Sequence, residues 1–129
     1  GQYDKIYERA EELLKKYPEN DYNAELHRMM GEIYYQDSIY NDAVRHLKAY
    51  HSLRTEQKKE ILRNDLYLLG ISCYQEKMWE EAIGYLKQVK QTPADSIAES
   101  TCLHLGHSYL RVNDIEKAKL SYSAAISYL

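Results

Sequence analysis

Residues 66–86 read Leu-Tyr-Leu-Leu-Gly-Ile-Ser-Cys-Tyr-Gln-Glu-Lys-Met-Trp-Glu-Glu-Ala-Ile-Gly-Tyr-Leu, with a glycine at 70 and an alanine twelve residues on at 82. The same interval occurs twice more, as Gly31 with Ala43 and Gly106 with Ala118. Other columns move with it. One residue before each glycine stand Met30, Leu69 and Leu105; three after stand Tyr34, Cys73 and Tyr109; nine after, Tyr40, Trp79 and Ile115; sixteen after, Leu47, Leu86 and Tyr122. A fixed offset kept across three blocks is the mark of a repeat architecture. Two helices approach closely only where facing side chains are small. A helix-interior glycine costs about 1 kcal/mol against alanine, so three at equivalent points imply a packing purpose. Each block is therefore predicted to be an antiparallel hairpin of two helices, A and B, with glycine and alanine at their contact and large residues filling the space around it.

Boundaries follow from apolar spacing and punctuation. The first block is expected to have helix A over 22–36 and helix B over 40–53. The second has A over 56–76 and B over 79–90, and the third A over 95–111 and B over 114–128. A further helix precedes them over 3–17, with Tyr3, Ile6, Ala10, Leu13 and Leu14 on one face and Pro18 beyond its end. Asp95 is placed to cap the third A helix after Thr92-Pro93, and Asn113-Asp114 supplies turn and cap chemistry before the last helix. Acidic residues crowd the first turns of the B helices (Asp42, Glu80, Glu81, Glu116), as the helix dipole favours.

These columns resemble the tetratricopeptide repeat, W-x2-L-G-x2-Y followed by A-x3-F and P. The matching segments are Met30-Gly31-x2-Tyr34 with Ala43-x3-Leu47, Leu69-Gly70-x2-Cys73 with Ala82-x3-Leu86, and Leu105-Gly106-x2-Tyr109 with Ala118-x3-Tyr122. The helix at 3–18 resembles the second half of a preceding repeat, and the lone B helix with the Lys15-Lys16-Tyr17-Pro18 run looks like that of bacterial cell-envelope repeat proteins. The resemblance implies an all-α, right-handed superhelical solenoid and one repeat domain over 1–129, with repeats at 22–53, 56–91 and 95–129. There are departures. The tryptophan column holds His27, Leu66 and Cys102, and the glycines are 39 and 36 residues apart where the family has 34. The surplus is expected around 51–59 and 89–95, as longer linking helices.

The resemblance also implies a scaffold that binds a protein or peptide along its A helices. Carried onto this chain, the groove positions are Glu25, Arg28, Glu32, Tyr35 and Gln36; Asn64, Tyr67, Ile71, Tyr74 and Gln75; and Ser100, Leu103, His107, Leu110 and Arg111. Such mixed aromatic, aliphatic and guanidinium composition is enriched at protein interfaces. Tyr35, Tyr67 and Tyr74 have a second reading, as residues that pack on the neighbouring A helix. The clamp by which some family members grip acidic chaperone tails needs lysine and asparagine where this chain has Arg28 and Glu32. The last helix carries Ile115, Ala118, Tyr122, Ala125, Ile126 and Leu129 on one flank, an edge expected to meet further repeats of the parent protein or a second chain. A purely structural role, spacing or oligomerising flanking domains through that edge, is the alternative function.

Composition excludes other classes. Of 129 residues, 17 are basic and 20 acidic, giving a formal charge of -3 with the signs mixed along the chain, so the basic stripe of a nucleic-acid binder is missing. No apolar run nears the roughly 20 residues of a membrane helix. Fourteen tyrosines and no phenylalanine mean that tyrosine must fill large core positions. Cys73 and Cys102 lack CxxC spacing and read as buried thiols. No nucleotide, hydrolase or zinc-protease motif appears, and no cofactor is expected. His104 and His107, three apart on one helix, would be at most half a zinc site, and His46 and His51 are spaced to face apart. Gly1 in place of an initiator methionine fits an excised segment, and the compartment, cytoplasm or envelope, is not readable.

Overall fold

A computed structural model describes residues 4–18 and 22–129, and Tyr3, placed on the first helix from its spacing, lies outside them. The described chain is all-helical, with no strand: α1 (Asp4–Lys16), α2 (Asn23–Gln36), α3 (Tyr40–Glu56), α4 (Arg63–Gln75), α5 (Trp79–Leu86), α6 (Ser96–Arg111) and α7 (Ile115–Ser127). The chain read as one domain divides into two compact units, Gly1–Ile61 and Leu62–Leu129.

Unit 1 is the α2–α3 hairpin with α1 against α2. Its core is Tyr7, Ala10, Ala24, Met30, Tyr34, Ala43, Val44, Leu47 and Tyr50, together with His46. In unit 2 the hairpins α4–α5 and α6–α7 pack through α5 against α6 and α4 against α6. Leu66, Leu69, Cys73, Ala82, Leu86, Val89, Ala98, Cys102, Leu105 and Tyr109 fill its interior. Tyrosine occupies large core positions as its abundance requires, and the Tyr7 hydroxyl finds the Ile33 carbonyl and an Asp37 carboxylate oxygen, each at 3.3 Å.

At each of the three repeat glycines the nearest neighbour is the large residue sixteen positions on. A Cβ built on Gly31 would lie 2.5 Å from Leu47 Cγ, on Gly70 2.5 Å from Leu86 Cδ2, and on Gly106 2.5 Å from Tyr122 Cε1. The glycine thus admits the large residue sixteen positions on, while Ala43, Ala82 and Ala118 are buried nearby in the same hairpins. A leucine or tyrosine reaches across a groove that an alanine cannot span.

Each hairpin turns by one device. Ser38, Lys77 and Asn113, all seven residues after a glycine, have φ of 59°, 60° and 63°. Ile39 N donates to Tyr34 O, Met78 N to Cys73 O and Asp114 N to Tyr109 O, while Ser38, Lys77 and Asn113 donate to Tyr35, Tyr74 and Leu110. This is the Schellman ending, in which a left-handed residue lets two amides satisfy the last carbonyls. Lys58, at φ 56°, ends α3 the same way.

That fourth turn accounts for a shift in boundaries. Helix α3 runs longer than expected, to Glu56, and α4 starts at Arg63 rather than near 56, because Leu62 is extended (φ -66°, ψ 139°). Helix α5 is shorter than expected. It ends at Leu86, where Gln88 and Val89 donate to carbonyls only three residues back, and a non-helical connection through a cis Thr92-Pro93 bond reaches Asp95. The surplus residues are therefore a lengthened α3 followed by a non-helical link over 57–62, and a loop over 87–95, not two linking helices. Asp95 accepts from Ala98 N at 3.0 Å and Asp114 from Lys117 N at 3.2 Å, the caps their positions predict.

Candidate functional site

Of the residues assigned to a partner groove, Arg28, Glu32 and Tyr35 belong to unit 1. Arg28 is bound by Glu25 and, at 2.6 Å, by Glu32, so its charge is met within its own helix. Its guanidinium is the main cause that holds the Glu25 carboxyl below the usual range. Tyr35 lies edge-on to Tyr40 across its own turn, ring centroids 5.7 Å apart.

The rest lie in unit 2. Ile71 does not face solvent: at 4% exposure it belongs to the core, because the α4 face that carries it packs inside the unit. Tyr67 and Tyr74 reach helix α6. The Tyr67 hydroxyl is 2.7 Å from Ser100 Oγ, and the Tyr74 ring meets His104 edge-on at 4.7 Å. Packing on the neighbouring A helix is thus the role the geometry gives these two tyrosines. Tyr74 also meets Trp79 edge-on at 5.4 Å, and Trp79 lies under the Arg111 guanidinium at 5.4 Å.

Along α6, residues 104, 107 and 111 follow one face at helical spacing. His104 Nδ1 is 2.7 Å from the Ser100 carbonyl, and His107 Nδ1 is 2.7 Å from the Tyr122 hydroxyl. Burial, helped by His104 and Arg111, lowers the His107 pKa. Both ring Nδ1 atoms are engaged inside the unit, and no group of three His, Cys, Asp or Glu among the described residues converges as a metal would need.

Beside these rings an open depression of about 500 Å³ is lined by Tyr74, His107, Leu110 and Arg111. Leu110 is 46% and Leu103 40% exposed on the same helix. Arg111 differs from the other arginines. Arg9 meets Glu12, Arg45 meets Glu11 and Asp42, Arg54 meets Glu25, and Arg63 meets Asp95. No carboxylate among the described residues pairs with Arg111.

The last helix and the residues just after it expose apolar side chains: Ile126 is 66% and Leu129 89% exposed. Tyr122, placed on that edge by its spacing, instead turns inward over Gly106 and onto His107. In unit 1, sequence reasoning missed a cluster of Glu11, His27, Arg45 and His46. Its only signal was a histidine in the tryptophan column of the first block.

No helix of the described residues is long and apolar enough to cross a membrane. No family model matches the chain, and no curated protein matches it either.

Proposed function

We propose that the chain is a tetratricopeptide-like array of helical hairpins that binds a partner peptide or protein along its A helices, and that the α6 face of unit 2 is the working part. The recurring glycine, the large residue sixteen positions on and the Schellman turn seven positions on support the repeat reading. The observation that carries the binding role is an arginine that no carboxylate among the described residues pairs with, seated on an indole and carried by the same helix as two exposed leucines. Position in the last turn of α6 explains part of this, since the helix dipole favours a cation there. That dipole amounts to roughly half a charge, so the guanidinium keeps positive charge to offer. A segment that lays apolar side chains on Leu103 and Leu110 and a carboxylate on Arg111 fits this face; Arg and aromatic anchors of this kind carry most of the energy at interfaces. The groove is a surface for capture, and no catalytic role is assigned to it.

Selection of random peptides displayed on phage against the purified protein tests the proposal. Enriched sequences should combine acidic with large apolar residues. Leu110→Glu and Arg111→Glu should each weaken an enriched peptide by about tenfold or more while the melting temperature holds. Peptides that bind both variants as well as the parent would place the site elsewhere.

The exposed Ile126 and Leu129 favour one second reading, a structural module that self-associates through the α7 flank. Sedimentation over a hundredfold range of concentration separates them. A monomer throughout disposes of self-association, whereas an oligomer abolished by Ile126→Lys supports it.

A further inference from the structure

Three helices of unit 1 meet over a pair of histidines. His46 on α3 is wholly buried, and its Nδ1 stands 2.9 Å from Nδ1 of His27 on α2. At that distance one nitrogen must donate and the other accept, so at least one ring is neutral. From α1, Glu11 Oε1 approaches His46 Nε2 to 2.7 Å but out of line, and Nε2 has no in-line hydrogen-bond partner. The other Glu11 oxygen is taken by Arg45 at 2.9 Å, and Arg45 is also held by Asp42 at 3.0 Å. The Tyr34 ring stacks on both Tyr7 of α1, at 4.0 Å, and His46, at 5.4 Å. Helix α1 is thus seated on the hairpin in part through Tyr7 and Glu11, and both lean on this cluster.

We infer that the His27–His46 pair is an acid-sensitive latch: α1 stays docked on the α2–α3 hairpin while the shared hydrogen bond holds, and loosens when both rings carry a proton. A second proton turns the 2.9 Å hydrogen bond into contact between two cations. The groups facing the pair are Glu11 from α1, with Lys15 at the rim of the adjoining depression, and Asp42 and Arg45 from α3. Tyr7 and Tyr34 do not titrate in this range. Arg45 adds positive charge, and the one carboxylate within reach of His46 is already engaged by it. Burial acts in the same sense. It is the first cause pulling His46 down to about 4, with Arg45 and His27 assisting and Glu11 opposing, and it also lowers His27. Unfolded histidines titrate near 6.5. The released form therefore binds protons that the docked form refuses. The latch is at full strength above about pH 6.5, weakens as pH falls towards about 4, and changes little below that.

Hydrogen exchange of the whole chain at pH 7.4 and 5.0, corrected for intrinsic rates, tests the inference. Residues 4–16 should lose at least tenfold in protection at pH 5.0, while residues 63–75 of α4 keep theirs. His46→Gln should remove most of that loss, and His27→Gln should reduce it. His51→Gln should leave it intact, although the His51 pKa is also lowered by burial. Equal protection of α1 at both pH values, or the same loss in both glutamine variants, overturns the latch. Should His46→Gln fail to fold, the NMR titration of the parent decides: a His46 ring that protonates near pH 6.5 with α1 still protected also overturns it.

Discussion

A methyl group placed on Gly84 meets nothing within 4 Å, whereas one placed on Gly70 lands 2.5 Å from Leu86 Cδ2 and 3.4 Å from the Leu86 backbone nitrogen. Both glycines are helical, so each gives up about 1 kcal/mol of propensity relative to alanine. At Gly84 nothing offsets that loss, and Gly84→Ala should raise stability by about 1 kcal/mol. At Gly70 the intruding methyl meets a leucine with no exposure, which must shift within the packed interior. Overpacking there costs about 1–3 kcal/mol and outweighs the propensity gain, so Gly70→Ala should be destabilising. Urea titration of the two variants checks the opposite signs, and a stabilising Gly70→Ala would remove the close approach. The repeat column made Gly70, and not Gly84, legible as a packing residue. Its partner was not legible: Ala82 and Leu86 both recur at fixed offsets, and only the reach of the side chain decides which one fills the gap. Ile71 shows the same limit, because a helix wheel places it beside Tyr67 and Tyr74 while packing takes it into the core.

Helices end here in ways a propensity reading half reveals. Asn113 and the capping aspartates announce their turns, since short polar side chains suit left-handed and cap positions. Lys58 and Lys77 do not, because lysine has no preference for φ near +60° and only the demand of the Schellman hydrogen bonds keeps it there. For that reason the start of α4 was expected some seven residues too early. The same strain supplies a prediction. Lys77→Gly relieves the left-handed penalty in a turn whose amides are already satisfied and should stabilise unit 2 by about 1 kcal/mol in thermal melts. A lowered melting temperature would mean that the lysine makes a contact worth more than the strain. The loop 87–95 is held differently. Arg63 donates to the carbonyls of Lys90 at 2.8 Å and Pro93 at 3.0 Å, and to both Asp95 oxygens at 2.9 Å. The guanidinium is the main cause holding the Asp95 carboxyl far below the ordinary carboxylate range. The sign follows: its contribution is present above about pH 4 and is lost as acid protonates Asp95. Arg63→Lys keeps the charge but not the forked geometry, so it should lower the melting temperature and raise exchange at Lys90–Asp95.

At the scale of the chain, the regular column spacing predicts one continuous domain, and the molecule divides into two compact units after Ile61. The cause is visible in the segment between. Gln57–Glu60 is exposed and non-helical around the Schellman turn at Lys58, and Leu62 is extended. Nothing in the identities of Lys58, Lys59 and Glu60 distinguishes them from a solvated helix face, so the sequence predicts the second A helix to begin at 56. Each unit also has a core of its own, around Leu47 and Tyr50 in one and Leu69 and Leu86 in the other. A protease needs an exposed segment that can open without breaking a core. Trypsin can choose among several such sites, but they are not equal. Lys87 and Lys90 are exposed as well, yet that loop is tied by Arg63 to the start of α4. Lys77 sits in a tight turn within a packed hairpin. Brief digestion should therefore cut first at Lys58 or Lys59, and mass spectrometry should find a fragment beginning at 59 or 60 and running to Leu129. That fragment carries both hairpins of unit 2 and should melt cooperatively by circular dichroism. Initial cleavage at Lys87 or Lys90, or a C-terminal fragment that does not melt as a unit, would show that the chain behaves as one domain.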